Sequence, residues 1–347
     1  MGGLLGFLSQ MSATLTYSIT FGTVILFGAL GEILTEKGGN LNLGVPGIMY
    51  VGAIASLAGA LKYQTLAVSL GWASALGAVG YPVSCVIVSL LCAFIASGLA
   101  GLLYAFLTIT LRTNQNVTGL TLTIFGTGIG NYIGGSLGSV GTVSADVTSA
   151  AFKAYCSPLV TGLDRLTGNL SIGSLLFRHG FMVYLAVAFS VLLWYFLTKT
   201  RTGLSLRSVG ENTATADAAG ININRYKYLS TCIGAGLSGL GGCFYVMEYI
   251  DGLWETGSTI ESLGWLAVAL VIFATWKPVR CIWGAYLFGL LSWFYFLLPG
   301  LFKGSDKIFQ MLPYLFTLGV LIMVSLRRRK EDQPPASLGI PYFREER

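Results

Sequence analysis

Charge is what this chain has least of. Only 10% of its 347 residues are Asp, Glu, Lys or Arg, while 54% are hydrophobic, and the mean hydropathy is +0.71. Soluble domains carry about 25% charged residues, so this chain has too little polar surface to cover a water-facing globule. Histidine is nearly missing, His179 being the only one. No HExxH, CxxC or EF-hand spacing occurs, and no GxxxxGKS/T phosphate loop. A His–Cys or Ser–His–Asp site would need His179, and no acidic residue stands near it in sequence to orient it. His179 therefore reads as an interfacial histidine at a span edge, and this chain does not hydrolyse ATP through a phosphate loop. Ionisable groups inside a membrane mark ion relays, and here Glu32 falls at the end of the first apolar run and Glu248 at the end of the sixth. That sparseness argues against a proton-coupled transporter and a charged-ring channel. It suits a passage for a neutral or modestly polar solute, driven by something else. The six cysteines form no disulfide framework: Cys85, Cys92, Cys232 and Cys243 lie in apolar runs, Cys281 at the edge of one, and only Cys156 in a long loop.

What the chain has in abundance is apolar length and glycine. A transmembrane helix needs about 20 apolar residues, and candidate runs cover 12–34, 43–61, 83–111, 117–135, 181–198, 228–247, 262–276, 282–299 and 311–326. The expected fold is all-α and polytopic, with about nine to ten transmembrane helices, some broken or re-entrant. The runs 43–61 and 262–276 are the short, interrupted ones, one in each half, a pattern that pairs of broken helices in transporter repeats share. Segment 64–80 reads as an outer loop or partial helix. The 46 glycines fit close helix packing, and Gly234, Ser238 and Gly242 make a small-residue stripe that serves packing within the subunit or against a partner. The start lacks a basic, cleavable signal peptide, so the first run is read as a retained span.

Lys and Arg set the orientation. Nine spans with the N-terminus outside place 15 of the 21 basic residues inside, among them Lys37, Arg112, Arg207, Lys277 and the Arg327–Lys330 cluster; Lys62, Lys153, Arg165, Arg178, Lys303 and Lys307 fall outside. Residues 1–326 form one transmembrane unit and 327–347 a polar cytoplasmic tail, whose Gln-Pro-Pro composition predicts disorder. The external acids Glu248, Asp251, Glu255 and Glu261 read as a solvated face or a docking edge.

The longest internal loop, 199–227, contains ENTATADAAG. Asn212 or Thr213 caps a short helix there, alanines give it propensity, and Gly220 supplies a left-handed stop. A small-surfaced helix suits a groove on another protein; an ordinary basic loop near anionic lipid fits equally well. Helix breakers also crowd TEKGGNLNLGVPGIMYVGA (35–53), where a chain so apolar enters the bilayer. Non-helical backbone at that depth survives only when buried in protein or lining a cavity. Asn40, Asn42, Gly44, Pro46 and Gly47, with Asn114, Gln115 and Asn116 before the fourth span, are thus candidates for a pathway lining; a tight turn with capping asparagines explains the same residues.

Three stretches, ILTEKGGNLNLGVPGIMYVGA (33–53), LRTNQNVTGLTL (111–122) and TRTGLSLRSVGENTATADAAGI (200–221), resemble the permease subunits of bacterial ABC importers of the branched-chain amino acid, simple-sugar and nucleoside group. The likeness is strongest to the nucleoside and simple-sugar branch, where a T-E-(R/K)-x-G-x-L-N-(I/L)-G-x-(E/P)-G-I-M run is typical, and it spans about residues 20–325. Pro46 stands where many relatives have glutamate, and Ala274 where they more often have glycine. The resemblance implies a permease of the bacterial cytoplasmic membrane with its C-terminus cytoplasmic. Its implied partners are an ATPase subunit that carries ATP and Mg, a second permease forming a heterodimer, and an external solute-binding lipoprotein. No cofactor in this chain and no nucleic acid is implied. It places the coupling helix in 199–221, with Arg207, Gly210, Glu211, Asn212 and Gly220 matching the loop pattern. The implied solute is a nucleoside or a related small polar molecule; simple sugars, branched-chain amino acids or a flavin are the alternatives, and a stand-alone receptor or membrane enzyme is the reading from another class.

Overall fold

The computed structural model describes residues 2–139, 145–155, 160–161, 173, 177–255, 257–293, 311–327 and 333–343. Cys156, Arg165, Lys303, Lys307, Arg328–Lys330 and the end of the run 282–299 lie outside the described residues. The described elements are all helical: α1 (Gly2–Lys37), α2 (Val45–Ser69), α3 (Trp72–Ala105), α4 (Gln115–Ser139), α5 (Asp146–Phe152), α6 (Phe181–Lys199), α7 (Arg201–Glu211), α8 (Thr213–Ala218), α9 (Ile223–Phe244), α10 (Thr259–Phe273), α11 (Pro278–Trp293) and α12 (Leu312–Arg327). Helices satisfy every backbone polar group within one segment, as a lipid environment requires. Five stretches are long and apolar enough to cross a membrane: 14–37, 45–69, 72–110, 181–199 and 223–249. Helices α10 and α12 are apolar but shorter, and the threonines and glycines of α4 dilute its apolarity.

Helix α1 is the centre. Every residue from Gly22 to Glu36 is buried, the condition of a helix apolar on all sides. Glycines let α9 approach α1 at backbone distance, and α2 approach α9 in turn. A Cβ on Gly31 would overlap the Gly234 carbonyl and Ser238 Oγ, and one on Gly242 would overlap the Met49 carbonyl. Ser238 Oγ also donates to the Gly28 carbonyl at 3.2 Å. The Gly234/Ser238/Gly242 stripe therefore packs within the subunit. Gly47 and Gly126 bring α2 and α4 together in the same way.

Segment 64–80 is helical rather than a loop. Helix α2 runs on to Ser69, Gly71 turns the chain with φ 70°, and α3 starts at Trp72. Helix α3 breaks at Gly77 (φ 73°, ψ −178°), and its end widens into a π turn over Phe106–Thr110. The interrupted character of 262–276 is also real. Helix α10 stops at Phe273, and Thr275 and Trp276 take φ of 53° and 54° before α11 starts at Pro278. The run 43–61, by contrast, is not interrupted: it lies in the continuous 25-residue α2, whose start meets α10, since a Cβ on Gly264 would overlap Pro46.

Residues 333–343 correct the expectation of a disordered tail. Leu338 packs against the main core, and the Ser337 N–H donates to the Gly210 carbonyl at 2.9 Å. At the opposite end of the bundle, Glu248 is buried and accepts from the Gly180 N–H at 3.1 Å, while Lys153 pairs with Asp251. Glu255 accepts from the Tyr245 hydroxyl at 3.1 Å. Glu248 is thus drawn into the fold, while Asp251 and Glu255 stay exposed, as a solvated face requires. Burial lowers the Lys153 ammonium from the usual lysine value, and nearby Glu248 opposes that shift. His179 is buried beside the peptide that Glu248 holds.

Candidate functional site

The residues assigned to the inside converge on one end of the bundle, where Lys37 lies within electrostatic range of Arg207, Glu211 and Lys277. This basic end carries the 38–44 turn. The chain leaves α1 through Gly38 and Gly39, whose N–H groups donate to the Thr35 and Glu36 carbonyls, and Gly39 takes φ 83°. Asn42 Oδ1 then accepts from the Gly44 N–H at 3.0 Å, an Asx turn that sets the start of α2, with Pro46 in its first turn.

Buried side chains hold that turn from four helices. Glu32 Oε1 accepts from the Asn42 N–H at 3.3 Å, and Gln115 Oε1 from the Leu41 N–H at 2.7 Å. The Tyr104 hydroxyl donates to the Leu41 carbonyl. Asn40 Nδ2 reaches Thr108 of the α3 π turn at 3.4 Å and Thr231 of α9 at 3.3 Å, while Asn40 Oδ1 is buried without a partner. Glu36 accepts from the Trp276 indole N–H, which joins the 274–277 turn to the same knot. The turn account fits Asn42, while Asn40 bonds the Thr108 and Thr231 side chains rather than a helix end; Asn40, Asn42 and Gln115 are buried and bonded. Asn114 and Asn116 are exposed, Asn114 Oδ1 capping α4 by accepting from the Asn116 and Val117 N–H groups.

Glu36, Trp276, Tyr104, Thr108 and Thr231 were not singled out in the sequence. The Thr-Glu pair that opens 35–53 was the available signal for Glu36. Nothing local marks Trp276, which is 240 residues away from it along the chain.

The loop 199–227 folds as two helices. Thr200 caps α7 by accepting from the Gly203 N–H at 3.0 Å, and Asn212 caps α8 by accepting from the Thr215 N–H at 3.0 Å. Gly220 has φ 79° just past the end of α8. Arg207, Glu211, Asn212 and Gly220 are exposed. Gly210 is buried, and a Cβ there would overlap the Lys37 carbonyl; Gly39 faces it, with 3.3 Å from a built Cβ to Gly210 Cα. The last turn of α7 therefore rests directly on the 37–39 backbone.

This polar, non-helical knot, set between membrane helices and pressed by an amphipathic loop helix, lies inside the reach of one family: the model described as branched-chain amino acid transport system / permease component matches residues 14–325. The chain belongs to that permease family. It is similar over 287 residues, at 34% identity, to the ABC transporter permease protein TsgC13 of Haloferax volcanii, assigned provisionally to glucose; the match covers 82% of this chain and 77% of TsgC13. It is 29% identical over 330 residues to the nucleoside ABC transporter permease protein NupC of Lactococcus lactis, covering 94% and 95% of the two chains. It is 29% identical over 344 residues to the guanosine ABC transporter permease protein NupQ of Bacillus subtilis, covering 97% and 98%. No solved structure matches the chain. The permease is a multi-pass membrane protein.

The knot has a stability signature in this permease. Gln115→Leu leaves the part-buried Leu41 N–H without its acceptor, a loss of about 1–2 kcal/mol. The exposed Asn116→Ala stays within about 0.5 kcal/mol. Thermal unfolding of the two purified variants checks the contrast, and equal midpoints would remove the structural role of Gln115.

Proposed function

We propose that this permease is the membrane subunit of an ATP-driven ABC importer, forming the path for nucleosides or a related small polar solute by alternating access. The observation that carries the solute class is similarity to NupC and NupQ over nearly the whole length of both chains. TsgC13 supports a sugar as the alternative. ATP and Mg belong to a separate ATPase subunit, and a solute-binding lipoprotein delivers solute on the opposite side. The permease lies in the bacterial cytoplasmic membrane with nine crossings (α1, α2, α3, α4, α6, α9, α10, α11 and α12) and with its basic end and C-terminus in the cytoplasm. The uncovered face of α4, with Val117, Leu120, Ile124 and Phe125 exposed, meets a second permease, and the pair is a heterodimer.

In this reading Arg207, Glu211, Asn212 and Gly220 face the ATPase, and Gly210 passes on the motion. ATP binding shifts α7 and α8; α7 pushes the 37–39 backbone through Gly210; and the knot carries the shift to α2, α3, α4 and α9. The pathway lining comprises Asn40, Asn42, Gly44, Pro46, Gly47, Asn114, Gln115 and Asn116. Asn114 and Asn116 are exposed in this conformation, and Asn40 Oδ1 is a free acceptor that becomes available when the knot opens.

The test is uptake by the copurified complex in proteoliposomes, offered labelled uridine, adenosine, ribose or leucine with the matching binding protein. Uridine and adenosine uptake that needs ATP is expected, together with its loss in Glu211→Lys. Ribose or leucine uptake alone would correct the solute, and a permease that copurifies with no ATPase would overturn the reading.

A further inference from the structure

The C-terminal segment is bound to the very elements that the proposed mechanism moves. Ser337 holds the end of α7 twice, its N–H donating to the Gly210 carbonyl at 2.9 Å and its hydroxyl to the Glu211 carbonyl at 3.3 Å. The Tyr342 hydroxyl donates to Asp217 of α8 at 2.8 Å. The Tyr342 ring packs on Val209, Ala216 and Ile223, the small core that joins α7, α8 and the start of α9. The same segment reaches the α3–α4 turn. The Arg112 guanidinium lies 4.5 Å above the Phe343 ring, and Gly339 and Pro341 enclose a cavity of about 290 Å³ together with residues 112–116. It borders the 38–44 turn too, since a Cβ on Gly39 would lie 3.6 Å from the Ser337 carbonyl.

A short segment with no helix or strand of its own does not hold a shape by itself. Its order comes from these contacts, and they go to two separate bodies, α7–α8 on one side and the α3–α4 turn on the other. Arg112 takes φ 55°, a conformation unfavourable for a residue with a Cβ, so this turn is held by its surroundings. The cavity between strap and turn leaves room for one to move against the other.

We propose that residues 333–343 are a coupling strap that carries displacement of α7 and α8 to the start of α4, with Ser337 and Tyr342 as positioning residues. This rests on the reading of α7–α8 as the ATPase-coupled element. The strap acts in parallel with the Gly210 contact: Gly210 drives the 37–39 backbone, and the strap keeps the Arg112–Asn116 turn in register with it.

The experiment uses the complete transporter in proteoliposomes and measures solute imported per ATP hydrolysed. Variants are a chain ending after residue 332, Tyr342→Phe, Asp217→Asn, the double Tyr342→Phe/Asp217→Asn, and Glu211→Lys in the full-length chain. Tyr342→Phe keeps the ring in its apolar seat and removes only the hydrogen bond to a carboxylate, so import per ATP should fall about threefold while complex assembly and basal ATP hydrolysis stay unchanged. Asp217→Asn should fall by less, because the amide oxygen still accepts from the Tyr342 hydroxyl and only the charge is gone, and the double variant should fall about as far as Tyr342→Phe alone. The truncation should fall further. If the truncated chain does not assemble, the two point variants decide. Unchanged import per ATP in the point variants and truncation, with Glu211→Lys uncoupled, overturns the strap and leaves the coupling role of α7–α8 standing. No change in any variant, Glu211→Lys included, overturns both.

Discussion

Gly210→Val stops solute import while the ATPase subunit still copurifies with the permease. The new side chain has nowhere to go. Its Cβ would overlap the Lys37 carbonyl, and the Gly39 N–H is 3.2 Å away. Both obstacles are backbone, and the segment they belong to is pinned by Glu32, Gln115 and Tyr104. Helix α7 must therefore lift off the 37–39 turn. The exposed residues Arg207, Glu211 and Asn212 keep their positions relative to each other on α7 and α8, so the surface proposed to meet the ATPase survives. What is lost is the proposed transmitting contact. Overpacking against backbone costs about 1–3 kcal/mol or more, and an offset of that size in the coupled conformational equilibrium corresponds to a loss of import of about fivefold or more. The check is ATP-dependent uptake beside pull-down of the ATPase. Import within twofold of wild type would sink the Gly210 contact as the transmission point, and loss of the ATPase from the complex would show that α7 position and partner docking are one function.

Gly31→Val prevents recovery of folded permease. Gly31 sits on the central helix where α1 and α9 cross at backbone distance, and a Cβ there would overlap both the Gly234 carbonyl and Ser238 Oγ. Neither helix can give way. Helix α1 is buried from Gly22 to Glu36, and α9 is packed against α2 on its other side, where a Cβ on Gly242 would overlap Met49. Small residues are what allow such crossings between membrane helices, and close-packed cores do not absorb added volume. The expected cost exceeds about 3 kcal/mol, at the upper end of overpacking effects. Gly128→Val is the matched control, because nothing lies within 4 Å of a Cβ on that α4 glycine. Size-exclusion profiles of the purified chains check the pair: a monodisperse peak is expected for Gly128→Val and none for Gly31→Val. Equal recovery of both would refute the crossing as the organising contact of the bundle.

The parts of this permease that depend on neighbours along the chain could be read from the sequence. Asn212 as a helix cap, Gly220 as a left-handed stop, the Asn42 turn before Pro46 and the interruption after 262–276 all rest on relations across a few residues. The scarcity of charge established an all-helical membrane chain, since a lipid phase accepts few other structures. For 64–80 the composition leaves loop and partial helix open, and the structure takes the second: helix on both sides of a turn at Gly71, with a further break at Gly77. The Gln-Pro-Pro composition of the tail predicts disorder, and composition carries no record of the surface that a segment docks on.

By itself, then, the sequence determined the class of protein, the helical segments near their observed places, the candidate coupling loop and the polar stretch between the first two spans. Only the tertiary structure decided what those pieces do to one another. It seated Gly210 on Lys37, joined Glu36 to Trp276, turned the Gly234/Ser238/Gly242 stripe inward, buried Asn40 and Gln115 while leaving Asn114 and Asn116 exposed, and laid Ser337 and Tyr342 across α7 and α8. The physical reason is range. Caps, stops and turns are settled by hydrogen bonds within about one helical turn, whereas these contacts join residues far apart in sequence, and which faces meet depends on the packing of every helix between them.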